Sequence, residues 1–273
     1  MSAKLPQLRI ALAGLGAIGQ ALARSLWQDP LPGVVLSAVS ARDADKARRF
    51  LDSINCPVPV CEIDALEPHA DLVVECAPAA LLPRIATPFL KQGKSVMVLS
   101  VSALLFNEEL IELARESAGR LLVPTGALIG LDAVAAAAEG QIHSVRMVTR
   151  KPPKGLAGAP HLIEHNISVE GLTSAKKVFE GNARAAAKGF PANLNVVVAL
   201  SLAGIGPEKT TLEIWADPGV TRNTHTIEVD SDSARFTMTI ENIPSENPKT
   251  GRIVAQSVRA LLRKMRAPLA VGT

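Results

Sequence analysis

Two textures of apolar and polar residues run along the chain. In the first, short apolar runs alternate with stretches whose apolar residues recur every three or four positions. Leu8–Ala13, Val34–Val39, Pro57–Glu62, Ala70–Ala77, Ser95–Ser100 and Arg120–Pro124 read as strands. Ile18–Trp27, Asp43–Ile54, Ala80–Lys91 and Asn107–Ala118 have helical spacing, and Asp29, Pro30, Pro32 and Gly33 stop the first of them. Near-continuous apolar strands belong to parallel sheets buried on both faces. Their alternation with helices predicts an α/β fold with a doubly wound parallel (Rossmann) sheet.

The second texture begins after Pro124. Residues 125–140, TGALIGLDAVAAAAEG, are small and apolar and predict a packed helix. Val145–Thr149, Leu212–Ala216, His225–Val229 and Ala234–Ile240 begin to alternate and read as antiparallel strands. Ser174–Phe179, Ala183–Lys188 and Asn193–Leu202 show helical patterns, so the second domain is expected to be α+β with a mixed or antiparallel sheet. Ile253–Met265 is a final helix with basic residues near its end, as the helix dipole favours. Its stripe of Ile253, Val254, Val258, Leu261 and Leu262 should return to the first domain. The expected division is 1–125 for dinucleotide binding, 126–245 for substrate and catalysis, and 246–273 for the returning helix. A length of 273 residues suits two domains at roughly 150 residues each.

Charge and composition narrow the function. Lys+Arg 29 against Asp+Glu 26 leaves a net charge of +3, too balanced for a nucleic-acid or polybasic membrane partner. Aromatic residues make up 3% and Tyr is absent, which excludes base-stacking platforms and removes Tyr as an acid or base. Cys56, Cys61 and Cys76 have neither a disulfide framework nor zinc spacing, so reduced thiols in the cytoplasm are expected. Glycines interrupt the apolar run of MSAKLPQLRIALAGLG, which is therefore not read as a leader, and no stretch of ~20 apolar residues predicts a membrane span.

Gly14-Leu15-Gly16-Ala17-Ile18-Gly19 follows a strand and opens a helix, the context that gives GxGxxG its meaning. Gly14 permits the tight turn, Gly16 lets backbone approach a diphosphate, and Gly19 permits close helix–strand packing. The N–H groups around Ala17 and Ile18 would then face the diphosphate charge. About 20 residues on, Ser40 and Arg42 stand where an acidic ribose ligand is expected, and Asp43 reads as a helix N-cap. A guanidinium pairs with a 2′-phosphate, so NADP should be accepted, with NAD as the other option.

Among five histidines, His69 and His143 read as structural or solvated. His161 and His165 share i, i+4 spacing but have no further metal ligands nearby, so no metal is expected. His225 opens a strand after the loop Asp217-Pro218-Gly219, a place where catalytic groups commonly sit, and could exchange protons near neutral pH; the bland alternative is a strand-edge histidine.

Several segments in family order, covering nearly the whole chain, resemble the L-aspartate dehydrogenase family: GLGAIG, DLVVECAP, PTGALIGLDA, TRKPP, FPANLNVVVALSLAGIG, ADPGVTRNTHTIEV and IPSENPKTGRIVAQSVRALL. The resemblance implies oxidation of the Cα–N bond of L-aspartate with NAD or NADP, giving iminoaspartate and then oxaloacetate and ammonia, and a link to pyridine-nucleotide biosynthesis. By motif it makes His225 the acid/base residue. It puts Ala127 and Asn195 near the nicotinamide end, with Asn193 as the other register. The ENPKTG segment would close the site, with Lys249 and Thr250 as carboxylate binders, whereas Gly251 stands where many relatives carry Ser. Arg150, Lys151 and Lys249 are the basic residues of the distinctive segments, as a substrate with two carboxylates requires. Hydride transfer implies that the substrate lies between the two domains. A homodimer is expected from second-domain sheets of such dehydrogenases.

Two other readings compete. A dihydrodipicolinate-reductase-like enzyme shares the two-domain plan, but its run of histidines is replaced here by HLIEHN. A non-catalytic dinucleotide sensor would keep the glycines without needing His225 or Asn223. Cys76 lies in the first domain and reads as a packed thiol rather than an aldehyde-dehydrogenase nucleophile.

Overall fold

A computed structural model of the chain describes residues 6–190, 194–244 and 251–273. They fall into two compact units, one formed by residues up to Pro124 with Ala255–Val271, the other by Thr125–Val254 with the last two residues.

The first unit alternates β1 (Leu8–Ala13), α1 (Ala17–Gln28), β2 (Val34–Ser40), α2 (Ala44–Ser53), β3 (Val60–Cys61), β4 (Leu72–Glu75), α3 (Leu82–Lys91), β5 (Ser95–Val98), α4 (Glu109–Glu116) and β6 (Arg120–Leu122). All six strands are parallel, in the order β3-β2-β1-β4-β5-β6. That order reverses direction between β1 and β4, the switch point outside which such sheets bind ligands. Ile10, Leu12, Leu72, Val74 and Met97 are wholly buried between the helical layers, as their apolar runs require.

In the second unit the chain forms α5 (Leu131–Ala138), β7 (Ile142–Lys151), α6 (Pro160–Glu164), β8 (Lys176–Asn182), α7 (Ala183–Gly189), α8 (Asn195–Ala203), β9 (Thr210–Ala216), β10 (Asn223–Ser231) and β11 (Arg235–Asn242). The sheet order is β11-β10-β7-β9-β8. Strand β9 runs parallel to β7 and the other pairs are antiparallel, so the sheet is mixed rather than antiparallel throughout. One face is apolar: Val145 and Met147 of β7, Leu212 and Ile214 of β9, and Ile227 and Val229 of β10 are buried there. The opposite face carries Arg146, bonded to Glu213 and Glu228 at 2.8 Å each.

Three sequence expectations are corrected. Ser174–Phe179 contributes to strand β8, not a helix; a register shift between Lys177 and Phe179 puts apolar Val178 and Phe179 side by side, and this bulge hides the alternation of a strand. Helix α5 starts only at Leu131, because Gly126 and Gly130 adopt φ +62° and +71° and turn the chain first. The third strand shrinks to two residues.

The last helix, α9 (Ile253–Arg266), belongs mainly to the first unit. Val258 and Leu262 are completely buried in that unit's core with Ile10, Leu22 and Leu26, each contributing roughly 1.5–3 kcal/mol. Arg259 donates to the carbonyls of Ser25 at 2.5 Å and Asp29 at 2.6 Å. A cation is thereby fixed at the C-terminus of α1, where the dipole stabilises it.

Candidate active site

The nucleotide end is built from the junction of β1 and β4. Gly14 N–H donates to the Ser40 carbonyl at 2.8 Å and Cys76 N–H donates to the Ala13 carbonyl at 2.9 Å. Gly14 has φ +112°, and a Cβ there would lie 2.5 Å from the Cys76 carbonyl oxygen. A Cβ on Gly19 would lie 2.0 Å from the Gly14 oxygen. Gly16 differs: a Cβ there would meet nothing within 4 Å. It starts the 12-residue α1 with no side-chain cap, and both it and Ala17 are exposed, while Ile18 packs partly into the core. Two glycines are thus demanded by packing. The third leaves open space before a helix N-terminus, which fits the diphosphate of NAD or NADP.

Ser40 ends β2 and is buried, while Arg42 is exposed beyond it. The Asp43 carboxylate accepts from Lys46 N–H at 2.9 Å as the cap of α2, so it is engaged by the helix. The chain therefore presents a cation, not a carboxylate, at the end of β2. Glu75, which sequence reasoning missed, is wholly buried at the end of β4. Its carboxylate accepts from Ala77 N–H (3.0 Å), Leu99 N–H (3.2 Å), Ser100 N–H (2.8 Å) and the Ser100 hydroxyl (3.1 Å). It ties the loop after β4 to the loop after β5. Burial pushes its pKa up against the downward pull of those bonds. The available signal was a carboxylate inside the apolar run ADLVVECA.

The second unit supplies a polar cluster on the apolar face of its sheet. Side chains alternate between faces along β7, so Thr149 and Lys151 share the buried face with Met147, and Arg150 points away. His225 of β10 stands directly opposite Thr149 in the ladder. His225 is 3% exposed and Thr149 fully buried, with Nδ1 and Oγ1 3.0 Å apart. Lys151 is equally buried, and burial lowers its pKa to about 8. Burial first, and the Lys151 charge second, lower His225 to about 3. Burial thus favours the neutral imidazole at rest near neutral pH, the form that can accept a proton.

The other sequence candidates distribute as follows. Arg150 occupies the opposite face, where it bonds the Asp217 carboxylate at 3.0 Å and lies 4.9 Å from the centre of the Trp215 ring. The structure thus separates it from Lys151 and His225. Ala127 is half-buried, and its carbonyl accepts from Asn242 Nδ2 at 2.9 Å. Asn242 is a second missed residue: it is buried at the end of β11 opposite Asn223, and its Oδ1 has no hydrogen-bond partner among the described residues. Asn195 begins α8. Asn193, Lys249 and Thr250 lie outside the described residues. Among the described residues no group of three His, Cys, Asp or Glu could hold a metal ion, and no helix is long and apolar enough to cross a membrane.

The comparisons with known proteins agree in both halves. Residues 132–265 match the model "Aspartate dehydrogenase, C-terminal", and residues 14–124 match "Homoserine dehydrogenase, NAD binding domain". The chain is 63% identical over 267 residues to L-aspartate dehydrogenase 3 of Bordetella bronchiseptica, covering 98% of each. It is 60% identical to the L-aspartate dehydrogenase of Bradyrhizobium diazoefficiens, covering 98% of this chain and 95% of that one. Among solved structures, aspartate dehydrogenase from Thermotoga maritima superposes with a TM-score of 0.74 at 25% identity, covering 97% of this chain and 100% of that one. A scyllo-inositol dehydrogenase from Lactobacillus casei with bound NAD(H) (TM-score 0.53, 14% identity, 95% and 87% covered) is a likeness of fold alone.

Proposed function

Because the chain belongs to the L-aspartate dehydrogenase family and oxidises L-aspartate with NAD or NADP, we propose which of its residues carry that reaction. When bound, the nicotinamide accepts the hydride that leaves the substrate Cα. His225 handles the accompanying proton. The substrate ammonium gives one proton to the imidazole, and the nitrogen lone pair so freed forms the C=N bond as the hydride departs. The proton is then released to solvent, and the neutral ring takes another from the water that attacks the imine carbon and returns it to the nitrogen, so that ammonia leaves and takes up the hydroxyl proton as the C=O bond forms. Lys151 binds a substrate carboxylate, and burial, with the Lys151 charge second, holds the ring neutral until the ammonium proton arrives. The observation that carries this reading is the burial of His225 beside Lys151 on the apolar face of the second-unit sheet. Kinetics of His225→Ala and Lys151→Met test it: a loss of kcat in the first and a rise in KM for L-aspartate in the second are expected, and wild-type kinetics in both would exclude it.

The diphosphate is assigned to Gly14, Gly16, Ala17, Ile18 and Gly19, and the nicotinamide end to Ala127 and Asn195. Arg42, with Ser40 beside it, is assigned to the adenosine ribose and its 2′-phosphate. Arg42→Ala is expected to weaken NADP binding by ~10–100-fold while leaving NAD nearly unchanged, the scale of a lost charged hydrogen bond. Fluorescence titration with each reduced cofactor measures both, and equal losses would give Arg42 another role. Lys249 and Thr250 remain proposed carboxylate ligands. The protein is further proposed to be a homodimer of the reduced cytoplasm with no nucleic-acid or membrane partner, supported by its small net charge and three free cysteines and tested by light scattering in solution.

A further inference from the structure

We propose that Thr149 is a positioning residue for the proton transfer, its hydroxyl oxygen accepting from Nδ1–H of His225 so that Nε2 carries the working lone pair. The proposal rests on the acid/base reading of His225 and deepens it by naming the atom and what orients it.

The geometry is specific. Along this face β7, β9 and β10 present Val145, Met147, Leu212, Ile214, Ile227 and Val229, with Thr210 buried at one end and the cluster of Thr149, Lys151 and His225 at the other. Both partners stand on paired strands, so the ladder holds their Cα atoms in register. The 3.0 Å bond fills the hydrogen-bonding capacity of one ring nitrogen in a place where an unpaired polar atom is costly.

A hydroxyl can donate or accept, so the direction of this bond follows from the chemistry. If Thr149 donated to Nδ1, the ring proton would sit on Nε2, and that nitrogen could take no proton from substrate. If Thr149 accepts, Nε2 is bare in the neutral ring. When Nε2 is protonated, the Nδ1–H bond to Thr149 persists without rearrangement. One direction therefore serves both states of the base. The partner's neutrality matters as well. A carboxylate would stabilise the imidazolium strongly, whereas a hydroxyl stabilises it weakly, and the nearby Lys151 opposes it. The proton is consequently passed on rather than stored.

The test combines a tautomer measurement with kinetics. Nitrogen-15 resonances of the imidazole, assigned by their loss in His225→Ala, should show Nδ1 protonated and Nε2 bare in the wild-type enzyme. Thr149→Val keeps the shape and removes the acceptor. It should lower kcat by roughly 10²-fold, the cost of a misplaced catalytic group, with KM for L-aspartate and Kd for NADPH unchanged. Thr149→Ser restores the hydroxyl and should recover most of kcat. A wild-type ring protonated on Nε2, a Thr149→Val enzyme with normal kcat, or a Thr149→Ser enzyme as poor as Thr149→Val would each overturn the proposal. Loss of activity in His225→Ala with none in Thr149→Val overturns this inference alone. Normal kcat in His225→Ala overturns the acid/base reading and this inference with it.

Discussion

His225→Ala is expected to lower kcat by roughly 10²–10⁴, the contribution of a general acid/base, while the affinity for NADPH stays where it was. The two readouts separate because the glycine turn and Arg42 lie in the first unit and His225 in the second. The replacement also removes a buried polar ring and leaves Thr149 without its partner, so a thermal melt belongs beside the kinetics. His225→Asn keeps approximate size and polarity but cannot carry a proton, and it should be nearly as slow. A folded His225→Ala enzyme with near-normal kcat would return the residue to a purely structural role. The sign of the pKa shift sharpens the expectation. With its pKa near 3, His225 is neutral from acid through alkaline pH, so loss of the base form should leave no step in the rate profile near pH 6.5.

The profile should instead carry Lys151. Its pKa is lowered to about 8, so the ammonium is present below that pH and lost as pH rises through it. If the charge holds a substrate carboxylate, KM for L-aspartate should climb above pH ~8 in the wild-type enzyme. Lys151→Met preserves apolar volume and removes the cation. Loss of one partner from a buried charged pair costs about 2–5 kcal/mol, so KM should rise by roughly 10²–10³ and lose its dependence on pH in that range. The same replacement removes the lesser of the two causes that depress His225, so its pKa should rise while burial still holds it below the ordinary histidine range. An unchanged KM, or a pH-dependent rise that survives in Lys151→Met, would count against the assignment.

Much of the first unit was legible because buried parallel strands declare themselves as continuous apolar runs and because the glycine turn has a local cause. Asp43 as a cap was legible for the same reason: its bond to Lys46 spans three residues. The second unit was harder. Its strands face helices on one side only, and the bulge at Lys177 and Phe179 broke the period that would have marked β8. The sharpest loss came at Arg150 and Lys151. A strand read as ending at Thr149 leaves both as loop cations of equal standing. Extending β7 to Lys151 puts them on opposite faces, one beside His225 and the other beside Asp217. Thr149 could not be singled out at all, because its meaning depends on the β7–β10 register, and register is a property of two strands distant in sequence. His225 became legible through motif resemblance, while its depressed basicity is a consequence of burial that no single segment encodes.

The return of α9 to the first unit has a consequence for how the protein is made. Everything from Thr125 to Val254 is an insertion between two parts of one core, and the ribosome must complete it before Val258 and Leu262 exist. At ~5–20 residues per second, the nascent nucleotide half waits on the order of ten seconds with that patch beside Ile10 and Leu22 uncovered. Its maturation is therefore tied to the end of translation. A message cut short before Ile253 would yield a glycine turn and all six parallel strands on a half-finished core, a species suited to chaperone capture and proteolysis rather than to cofactor binding.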